Sequence, residues 1–374
     1  MIIETFELER FQSLYEHHVD YNLSESGVEP LRVEQLIQSN AEARTLLQQQ
    51  LSYVQTNGTV DLRQRIAALY PGATEDDILV TTGCAEANFL VSMHLADPEA
   101  EAVVLLPNYM QTWGLLKGFG ARVKAWPLVA DFEAGRWRPD FDALESMVGP
   151  QTKMIFLCNP NNPTGGTLEA EELDQIVSIA ERHGAWILAD EIYRGAELGD
   201  AETASLWGRY DRVFCTAGLS KAYGLPGLRI GWVVGPRREI EHLWSHHDYT
   251  TIAPAALSDH LAALALGPKR QEWLLERTRK HIRTNYAAVA EWLADHRDHI
   301  DHLPPRAGAI AYLRYRHPVN STELAERLRR EKSTLIVPGD HFGMDGHLRI
   351  GFGPETDYLK AGLSRLTELL RELS

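Results

Sequence analysis

The sequence predicts an α/β fold, with a large domain built on a mainly parallel, doubly covered sheet and a smaller α+β domain. Short apolar segments alternate with helical segments over most of the chain, a pattern typical of a parallel sheet with helices on both faces. The 374 residues are 44% hydrophobic, which is enough length and apolar content for two domains. The C-terminal part mixes helices with short strands, which favours the smaller α+β domain.

The individual elements follow from local signals. An amphipathic helix begins near Thr59 and ends before Pro71, and a second helix begins at Gly83 directly after a short apolar strand. Residues 1–50 predict a short helix, an irregular stretch over 21–30 and a polar helix. The predicted strands are residues 78–81, 102–106, 154–158, 185–189, 212–216, 228–234 and 309–313, and the other predicted helices are 59–70, 169–182 and 270–297.

We divide the chain into three parts on this pattern. Residues 1–48 are an N-terminal segment that contributes to the small domain, and residues 49–268 are the large domain. Residues 269–374 contain a long charged helix, which we interpret as the connector, and the rest of the small domain.

The charge, the hydropathy and the cysteine spacing argue against a nucleic-acid-binding protein, a membrane protein and a metal site. Lys and Arg number 37 against 52 Asp and Glu, a formal net charge of −15, and this balance argues against a nucleic-acid partner. The N-terminus lacks a long apolar core, and no window of about 18 apolar residues suggests a membrane span. Three cysteines without metal-like spacing indicate buried thiols in a reducing, cytoplasmic compartment and no metal site: Cys84, Cys158 and Cys215.

A lysine lies within the glycine-rich residues 218–232, between two segments that we predict to be buried strands. Lys221 is costly there as an ion unless it is paired or neutralised. A desolvated lysine has a lowered pKa and forms imines readily. Arg229 lies 229 − 221 = 8 residues further on and could hold a phosphate. An imine-forming lysine followed by a phosphate-binding arginine suggests pyridoxal phosphate as the cofactor.

Polar residues follow several of the predicted strands, where ligands gather in parallel α/β sheets. Asp190 could pair with a protonated pyridine nitrogen, with Tyr193 on the ring oxygen, or the two could be a helix cap and a surface tyrosine. Asn162 could be part of an ordinary turn. Tyr109 could stack on a flat cofactor or cap the core. The backbone amides from Gly83 to Ala85 suit an anion, although many such loops bind nothing.

Together these residues resemble the class I/II aminotransferase family, the fold-type I pyridoxal-phosphate enzymes, over nearly the whole chain. The most specific segments are residues 162–165 (Asn-Pro-Thr-Gly), 190–193 (Asp-Glu-Ile-Tyr), 220–221 (Ser-Lys), 227–231 (Gly-Leu-Arg-Ile-Gly) and 348–352 (Leu-Arg-Ile-Gly-Phe). The resemblance implies a pyridoxal 5'-phosphate enzyme that acts on a free L-amino acid as a homodimer, with its active sites at the subunit interface.

The resemblance also implies a role for each candidate residue. Lys221 binds the cofactor as an imine and then moves the Cα proton, while Asp190 pairs with the pyridine nitrogen. Arg349 binds the substrate α-carboxylate, and Gly27 belongs to an N-terminal lid. The remaining implied cofactor ligands are Asn162 and Tyr193 for the ring oxygen, Tyr109 for the ring face, Ser220, Arg229 and the amides of Cys84 and Ala85 for the phosphate, and Tyr53 for the partner's phosphate.

The sequence departs from the family pattern at the phosphate site. Gly218 stands where many members have Ser or Thr, and Cys84 and Ala85 offer backbone rather than hydroxyl groups. We therefore expect the phosphate to depend more on Ser220 and Arg229. No obvious arginine is available for a substrate side-chain carboxylate, so an aspartate-type substrate is disfavoured.

Finer resemblance favours a branch that contains capreomycidine synthase and similar cyclases of hydroxylated arginine. It is carried by residues 218–232, 24–28 (Ser-Glu-Ser-Gly-Val) and 248–252 (Asp-Tyr-Thr-Thr-Ile). The resemblance implies elimination and cyclisation to a cyclic guanidino amino acid of the capreomycidine or enduracididine type. Ordinary transamination needs the same residues and remains the alternative, and a non-catalytic aminotransferase-like module is a remote one.

A guanidinium substrate requires carboxylates near the pocket. The candidates are Glu25, within the same loop as Ser26 and Gly27, and also Glu9 and Asp61. Each of the three acids could instead be a solvated surface acid or a helix cap.

Overall fold

The computed structural model describes residues 2–373. The described residues form α-helices and β-strands that we number separately in chain order. The helices are α1 (Glu7–Tyr15), α2 (Val33–Leu36), α3 (Asn40–Leu47), α4 (Val60–Ala67), α5 (Cys84–Leu95), α6 (Gln111–Gly118), α7 (Phe141–Met147), α8 (Ala170–His183), α9 (Arg237–His247), α10 (Ala256–Ala265), α11 (Pro268–Ala294), α12 (Ser321–Lys332) and α13 (Thr356–Glu372). The strands are β1 (Tyr21–Asn22), β2 (Ile78–Thr81), β3 (Glu101–Leu106), β4 (Arg122–Asp131), β5 (Arg136–Pro139), β6 (Thr152–Cys158), β7 (Trp186–Asp190), β8 (Val213–Gly218), β9 (Gly231–Val234), β10 (Ile300–His302), β11 (Ile310–Tyr315), β12 (Thr334–Leu335), β13 (Val337–Pro338) and β14 (His347–Gly351).

The main sheet has eight strands in the order β2-β9-β8-β7-β6-β3-β4-β5. Pairing is parallel between β8, β7, β6, β3 and β4, and it is antiparallel where β9 meets β2 and β8 and where β5 meets β4. The predicted α/β class with a mainly parallel sheet is confirmed, because five adjacent strands run in one direction.

The two faces of this sheet bury different side chains, as the alternation of a strand requires. Along β6, Ile155 and Leu157 join one apolar cluster, whereas Met154 and Phe156 join a second cluster. Helices α4, α8, α10 and α11 contribute to the first cluster, and α5, α6 and α9 contribute to the second. The central strands are therefore apolar on both faces, which explains their unbroken hydrophobic sequence.

A smaller antiparallel sheet in the order β10-β11-β14-β13 lies in the C-terminal part of the chain. The N-terminal segment joins this part, because β1 pairs in parallel with β12 and places Tyr21 beside Thr334. The domain boundaries at residues 48 and 268 stay a prediction.

The structure corrects the predicted strand over residues 228–234. A 3₁₀ turn covers Pro226–Leu228, Arg229 adopts a left-handed conformation with φ 51°, and β9 begins only at Gly231. The apolar residues after Lys221 have the sequence pattern of a longer strand. Pro226 lacks a backbone N–H donor and favours a turn, so the strand begins later. Two helix boundaries also differ, since α4 ends at Ala67 and the long helix α11 runs over Pro268–Ala294.

Among residues 2–373, none of the helices has the length and apolar character needed to cross a bilayer.

Candidate active site

A cavity of about 380 Å³ lies at the carboxyl ends of the central strands, and its walls also include helix α1 and the N-terminal loop. Its volume is in the range of small-molecule sites. Lys221, Asp190 and Arg349 all line it. The other predicted site residues that line it are Glu9, Glu25, Ser26, Cys84, Ala85, Tyr109, Asn162, Tyr193, Ser220 and Arg229.

Asp190, the last residue of β7, is 5% exposed and faces this cavity. Burial raises the pKa of its carboxyl group, and the hydrogen bonds that it accepts oppose that rise. Asn88 Nδ2 donates to Asp190 Oδ2 at 2.8 Å, and the Ile192 amide donates to Oδ1 at 3.0 Å. Thr216 in turn donates to Asn88 Oδ1 at 2.7 Å, so the carboxylate is held in one orientation.

Lys221 follows β8, and its backbone carbonyl accepts a hydrogen bond from the Gly224 amide at 3.2 Å. Burial lowers the pKa of its ammonium group, and Arg349 and Arg229 lower it further, while Glu25 and Glu9 oppose this effect. A lysine with a lowered pKa has a larger neutral fraction at neutral pH and is the better nucleophile and base.

An anion-binding corner lies beside Lys221. Helix α5 begins at Cys84 after Gly83, which has φ 79° and no side chain to cap the first amides. The Arg229 guanidinium packs directly over Gly83, in the space that a Cβ atom would need. Ser220 Oγ lies 3.5 Å from Arg229 Nη1. Free helix amides, a guanidinium and a hydroxyl together make a site for a phosphate-like anion.

Arg349 in β14 is the most deeply buried cation of the cavity, at 1% exposed. Its Nη1 donates to Asn162 Oδ1 at 2.9 Å, and its Nη2 donates to the Ser24 carbonyl oxygen. Its Nε has no hydrogen-bond partner in the described chain. A buried guanidinium with an unused donor is costly unless a ligand completes it, which fits an incoming carboxylate.

Two tyrosines complete the inner wall. Tyr193 is buried and hydrogen-bonds with Ser26, and burial raises the pKa of its phenol above its usual range. The Tyr109 hydroxyl donates to Glu9 Oε1 at 2.7 Å, and its ring meets Phe6 edge to face at 4.9 Å between centroids. Glu9 therefore lines the cavity and also accepts a hydrogen bond from Tyr109.

The outer wall is acidic. Glu9, Gln12, Ser13 and Glu16 lie on one face of α1 or directly after it and line the cavity together with Glu25. Burial raises the pKa of Glu16, and so does the negative charge of Glu25, with which it shares a hydrogen bond. Gln12 is fixed by its bonds to the carbonyl and hydroxyl oxygens of Ser24 at 2.9 and 3.0 Å.

Four predicted residues do not line the cavity of their own subunit, and one of them is Gly83, which lies beneath the Arg229 guanidinium. Tyr53 is 82% exposed, so its predicted role toward a partner subunit stays a prediction. Asp61 lies on α4, where its carboxylate pairs with Arg65 Nε at 2.9 Å, and the structure does not bring it to the pocket. An ion pair one helical turn away is reason enough for an acid at this position. Gly27 lies behind Lys221, with its Cβ position 3.8 Å from the lysine Cδ.

Sequence reasoning missed Asn88, Gln12, Glu16 and Gln111, all of which line the cavity. Asn88 lies one turn after Cys84 on α5, so the helical spacing after the anion-binding loop could have identified it. Glu9, Gln12 and Glu16 have the spacing of one helix face, a signal that could have identified the polar face of α1. Gln111 donates to the Ala85 carbonyl at 2.8 Å, and no sequence signal indicates this contact.

Comparison with known proteins gives a consistent result. The family model described as aminotransferase class I and II matches residues 21–366. Capreomycidine synthase from Streptomyces vinaceus is 31% identical over 84% of this chain and 79% of its own length. An aspartate aminotransferase from Streptomyces avermitilis is 30% identical over 86% of this chain and 82% of its own length.

Solved structures agree with the sequence relatives. A PLP-dependent aminotransferase from Streptococcus suis is 30% identical, with a TM-score of 0.93 over 100% of this chain and 99% of its own. The PLP-dependent cyclase OrfR is 26% identical, with a TM-score of 0.87 over 100% of this chain and 99% of its own. Fold and family therefore agree over residues 21–366.

Proposed function

Because the chain belongs to the aminotransferase class I and II family and is thus a pyridoxal-phosphate enzyme, we propose that it cyclises a hydroxylated, arginine-like L-amino acid. The observation that carries this proposal is the acidic outer wall of the cavity, formed by Glu9, Glu16 and Glu25, in the same cavity as the buried guanidinium of Arg349. In such a site the carboxylates can bind the cationic side chain of an amino acid, and Arg349 can bind its α-carboxylate.

The residues of the cavity fit the cofactor. The free amides at the start of α5, Ser220 and Arg229 would hold its phosphate, and the uncapped Gly83 leaves room for the guanidinium to approach. Asp190 would pair with the pyridine nitrogen, and Asn162 and Tyr193 would bind the ring oxygen. When bound, pyridoxal phosphate accepts the electron pair that Cα deprotonation releases.

Lys221 is the base that we assign to the first step. Burial lowers the pKa of Lys221, which favours the neutral Nζ that can accept the Cα proton. Arg349 would orient the substrate through its α-carboxylate, using the Nε donor that has no partner in the described chain. The hydrogen bond from Asn88 opposes the rise that burial causes in the Asp190 pKa, and it holds the carboxyl group facing the cavity.

The outer wall would hold the guanidinium of the substrate. A guanidinium donates two parallel hydrogen bonds to a carboxylate, and the Glu16 and Glu25 side chains lie close enough to interact with each other. A cation between them would relieve their mutual repulsion. In the overall reaction, the C–O bond to the substrate hydroxyl breaks, a C–N bond to the guanidine forms, and one water leaves. The conversion needs no oxidant and no second substrate.

Incubation of the holoenzyme with hydroxylated arginines, with and without a 2-oxo acid, tests the proposal. We expect a cyclic guanidino product lighter than the substrate by one water, formed equally well without the oxo acid. The Lys221→Ala variant serves as the control and should lose both turnover and the visible absorbance of the bound cofactor. Full turnover by that variant would contradict the role assigned to Lys221.

Transamination between an α-amino acid and a 2-oxo acid is the second candidate. It is supported by the similarity to the aspartate aminotransferase, and it needs the same Lys221, Asp190 and Arg349. A product that forms only when a 2-oxo acid is present, with no cyclic compound, would establish this candidate and exclude the cyclase.

A further inference from the structure

Helices α5 and α9 bring three histidines and one glutamate together away from the cavity. His94 lies near the end of α5, and Glu239, His242 and His246 lie on α9. The α9 residues are spaced by three and four positions, so they share one face of that helix. The spacing of the cysteines predicted no metal site, whereas this cluster of histidines and a glutamate forms only when the two helices pack.

The donor atoms have the separations that a tetrahedral metal ion requires. His94 Nε2 lies 2.9 Å from Glu239 Oε2, and His242 Nδ1 lies 3.7 Å from the same oxygen. One donor atom each from His94, Glu239 and His242 lies within 4.8 Å of the other two. Ligands at the usual 2.0–2.1 Å from zinc are about 3.3 Å apart in a tetrahedron, so these atoms need only small movements.

A second observation supports a ligand at this cluster. The His246 ring centroid lies 5.9 Å from that of His94, and its buried Nδ1 has no hydrogen-bond partner among the described residues. If Glu239 needed only a hydrogen-bond partner or countercharge, His94 alone would be enough. The additional imidazole of His242 beside the same carboxylate is better explained by a shared ion.

We propose that His94, Glu239 and His242 bind one divalent transition-metal ion of the zinc class, with His246 beside them. Imidazole and carboxylate donors suit zinc, nickel and copper rather than magnesium. The site has an entry path, since the His242 side chain is 52% exposed, while those of His94 and Glu239 are 17% and 22% exposed.

The bound metal ion would cross-link helices α5 and α9, because its ligands come from both. Cys84 at the start of α5 borders the anion-binding corner, and His94 lies ten residues along the same helix, about 15 Å away along its axis. The other end of the helix pair is already joined, because Glu86 contacts His247 and Thr251. The ion is therefore a structural link outside the catalytic pocket.

Metal titration of the dialysed holoenzyme tests this proposal. With Zn²⁺ as the probe, we expect one tightly bound ion per chain by calorimetry and a higher Tm in its presence, since a ligand that binds only the folded state stabilises it. Co²⁺ should give the visible absorption bands of a tetrahedral site.

The variants His242→Gln and His94→Gln should each weaken zinc binding by at least about tenfold, as even outer-shell changes do at metal sites. His242→Gln alters a half-exposed side chain, so it keeps the test decisive if His94→Gln fails to fold. His18→Gln is the matched control, because His18 is also exposed but lies outside the cluster. Equal zinc affinity and stoichiometry in His242→Gln and the wild type would overturn the proposal.

Discussion

At the scale of single residues, the side chain that controls Asp190 is Asn88. Its amide donates to the buried carboxylate at 2.8 Å and accepts from Thr216 at 2.7 Å, so it also fixes its own orientation. A hydrogen bond to a buried charged group contributes about 1.5–3 kcal/mol. The charge that we assign to the cofactor nitrogen therefore depends on a residue with no ionisable group.

We predict that Asn88→Ala weakens pyridoxal phosphate binding by about tenfold or more, because loss of this donor further raises the pKa of Asp190. Thr216→Val is the control, because it removes the hydrogen bond from Thr216 to Asn88 but keeps the hydrogen bond from Asn88 to Asp190. Its loss of cofactor affinity should therefore be smaller. Absorbance titration of the apoenzyme with cofactor measures both. Wild-type affinity in Asn88→Ala would contradict the role of this contact.

The acidic outer wall gives a second prediction at this scale. Glu16→Gln should raise KM for a guanidino substrate by about tenfold while leaving kcat nearly unchanged, since the residue would contact the substrate far from the reacting carbon. Glu7→Gln, on the same helix but outside the cavity, provides the control. Steady-state kinetics decide the matter, and an equal rise in KM for a neutral amino acid would contradict recognition of the guanidinium.

At the scale of elements, the turn from β2 into α5 determines the anion-binding corner. Gly83 and Gly72 have the same φ of 79°, but only Gly83 has another side chain, Arg229, in its Cβ position. Alanine at either position adopts a backbone conformation with positive φ, which costs about 1–3 kcal/mol. Only at Gly83 does the added methyl group also displace the guanidinium.

We therefore predict that Gly83→Ala and Gly72→Ala both lower the Tm, but that only Gly83→Ala loses cofactor affinity. Thermal unfolding of the apoenzymes and cofactor titration measure the two effects separately. If both variants bind pyridoxal phosphate with wild-type affinity, the position of the Arg229 guanidinium does not depend on Gly83.

The packing of α5 against α9 gives a pH-dependent prediction. Burial alone would raise the pKa of Glu86, but hydrogen bonds from His247, Thr250 and the Thr82 amide lower it from 4.5 to about 2. A carboxyl group with a lowered folded-state pKa stabilises the protein above pH 4.5, and this contribution disappears as the pH falls toward 2. The shift corresponds to about 3 kcal/mol at 1.36 kcal/mol per unit.

Glu86→Gln should thus lower stability near neutral pH, and its difference from the wild type should shrink as the pH falls from about 5 to about 3. Chemical unfolding across that range provides the measurement. Glu272→Gln, an exposed acid on α11, is the matched control and should show no such trend. A difference that is independent of pH would mean that the Glu86 charge is not involved.

At the scale of the whole molecule, we propose a homodimer in which Tyr53 acts on the partner's cofactor. Tyr53 is 82% exposed on its own chain, so a role for it requires a surface from outside that chain. The family membership supports the dimer, and the exposure of Tyr53 is compatible with an interface.

Mixing subunits tests this arrangement. In a dimer of one Lys221→Ala chain and one Tyr53→Ala chain, a tyrosine that acts across the interface leaves one site intact. Random exchange of the two variants should then restore about a quarter of wild-type activity. Each variant exchanged with itself is the control. If activity does not rise above that of the unmixed variants, Tyr53 does not act across the interface.

Much of the fold could be predicted because its signals are local. The strands Ile78–Thr81 and Thr152–Cys158 appear as apolar segments, and the polar residues that follow them lie together because parallel strands end at one edge. The predicted strand over residues 228–234 was wrong at its start, since the 3₁₀ turn Pro226–Leu228 and the left-handed Arg229 delay β9 until Gly231.

The sequence by itself determined the fold class, the family and the group of residues around Lys221, because periodicity, turn residues and short motifs are properties of neighbouring positions. Only the tertiary structure brought Asn88 to Asp190, the face of α1 to the mouth of the cavity, and His94 to Glu239. These contacts join residues that are far apart in the chain. Their distances and the resulting pKa shifts arise from packing and burial, which a linear pattern does not contain.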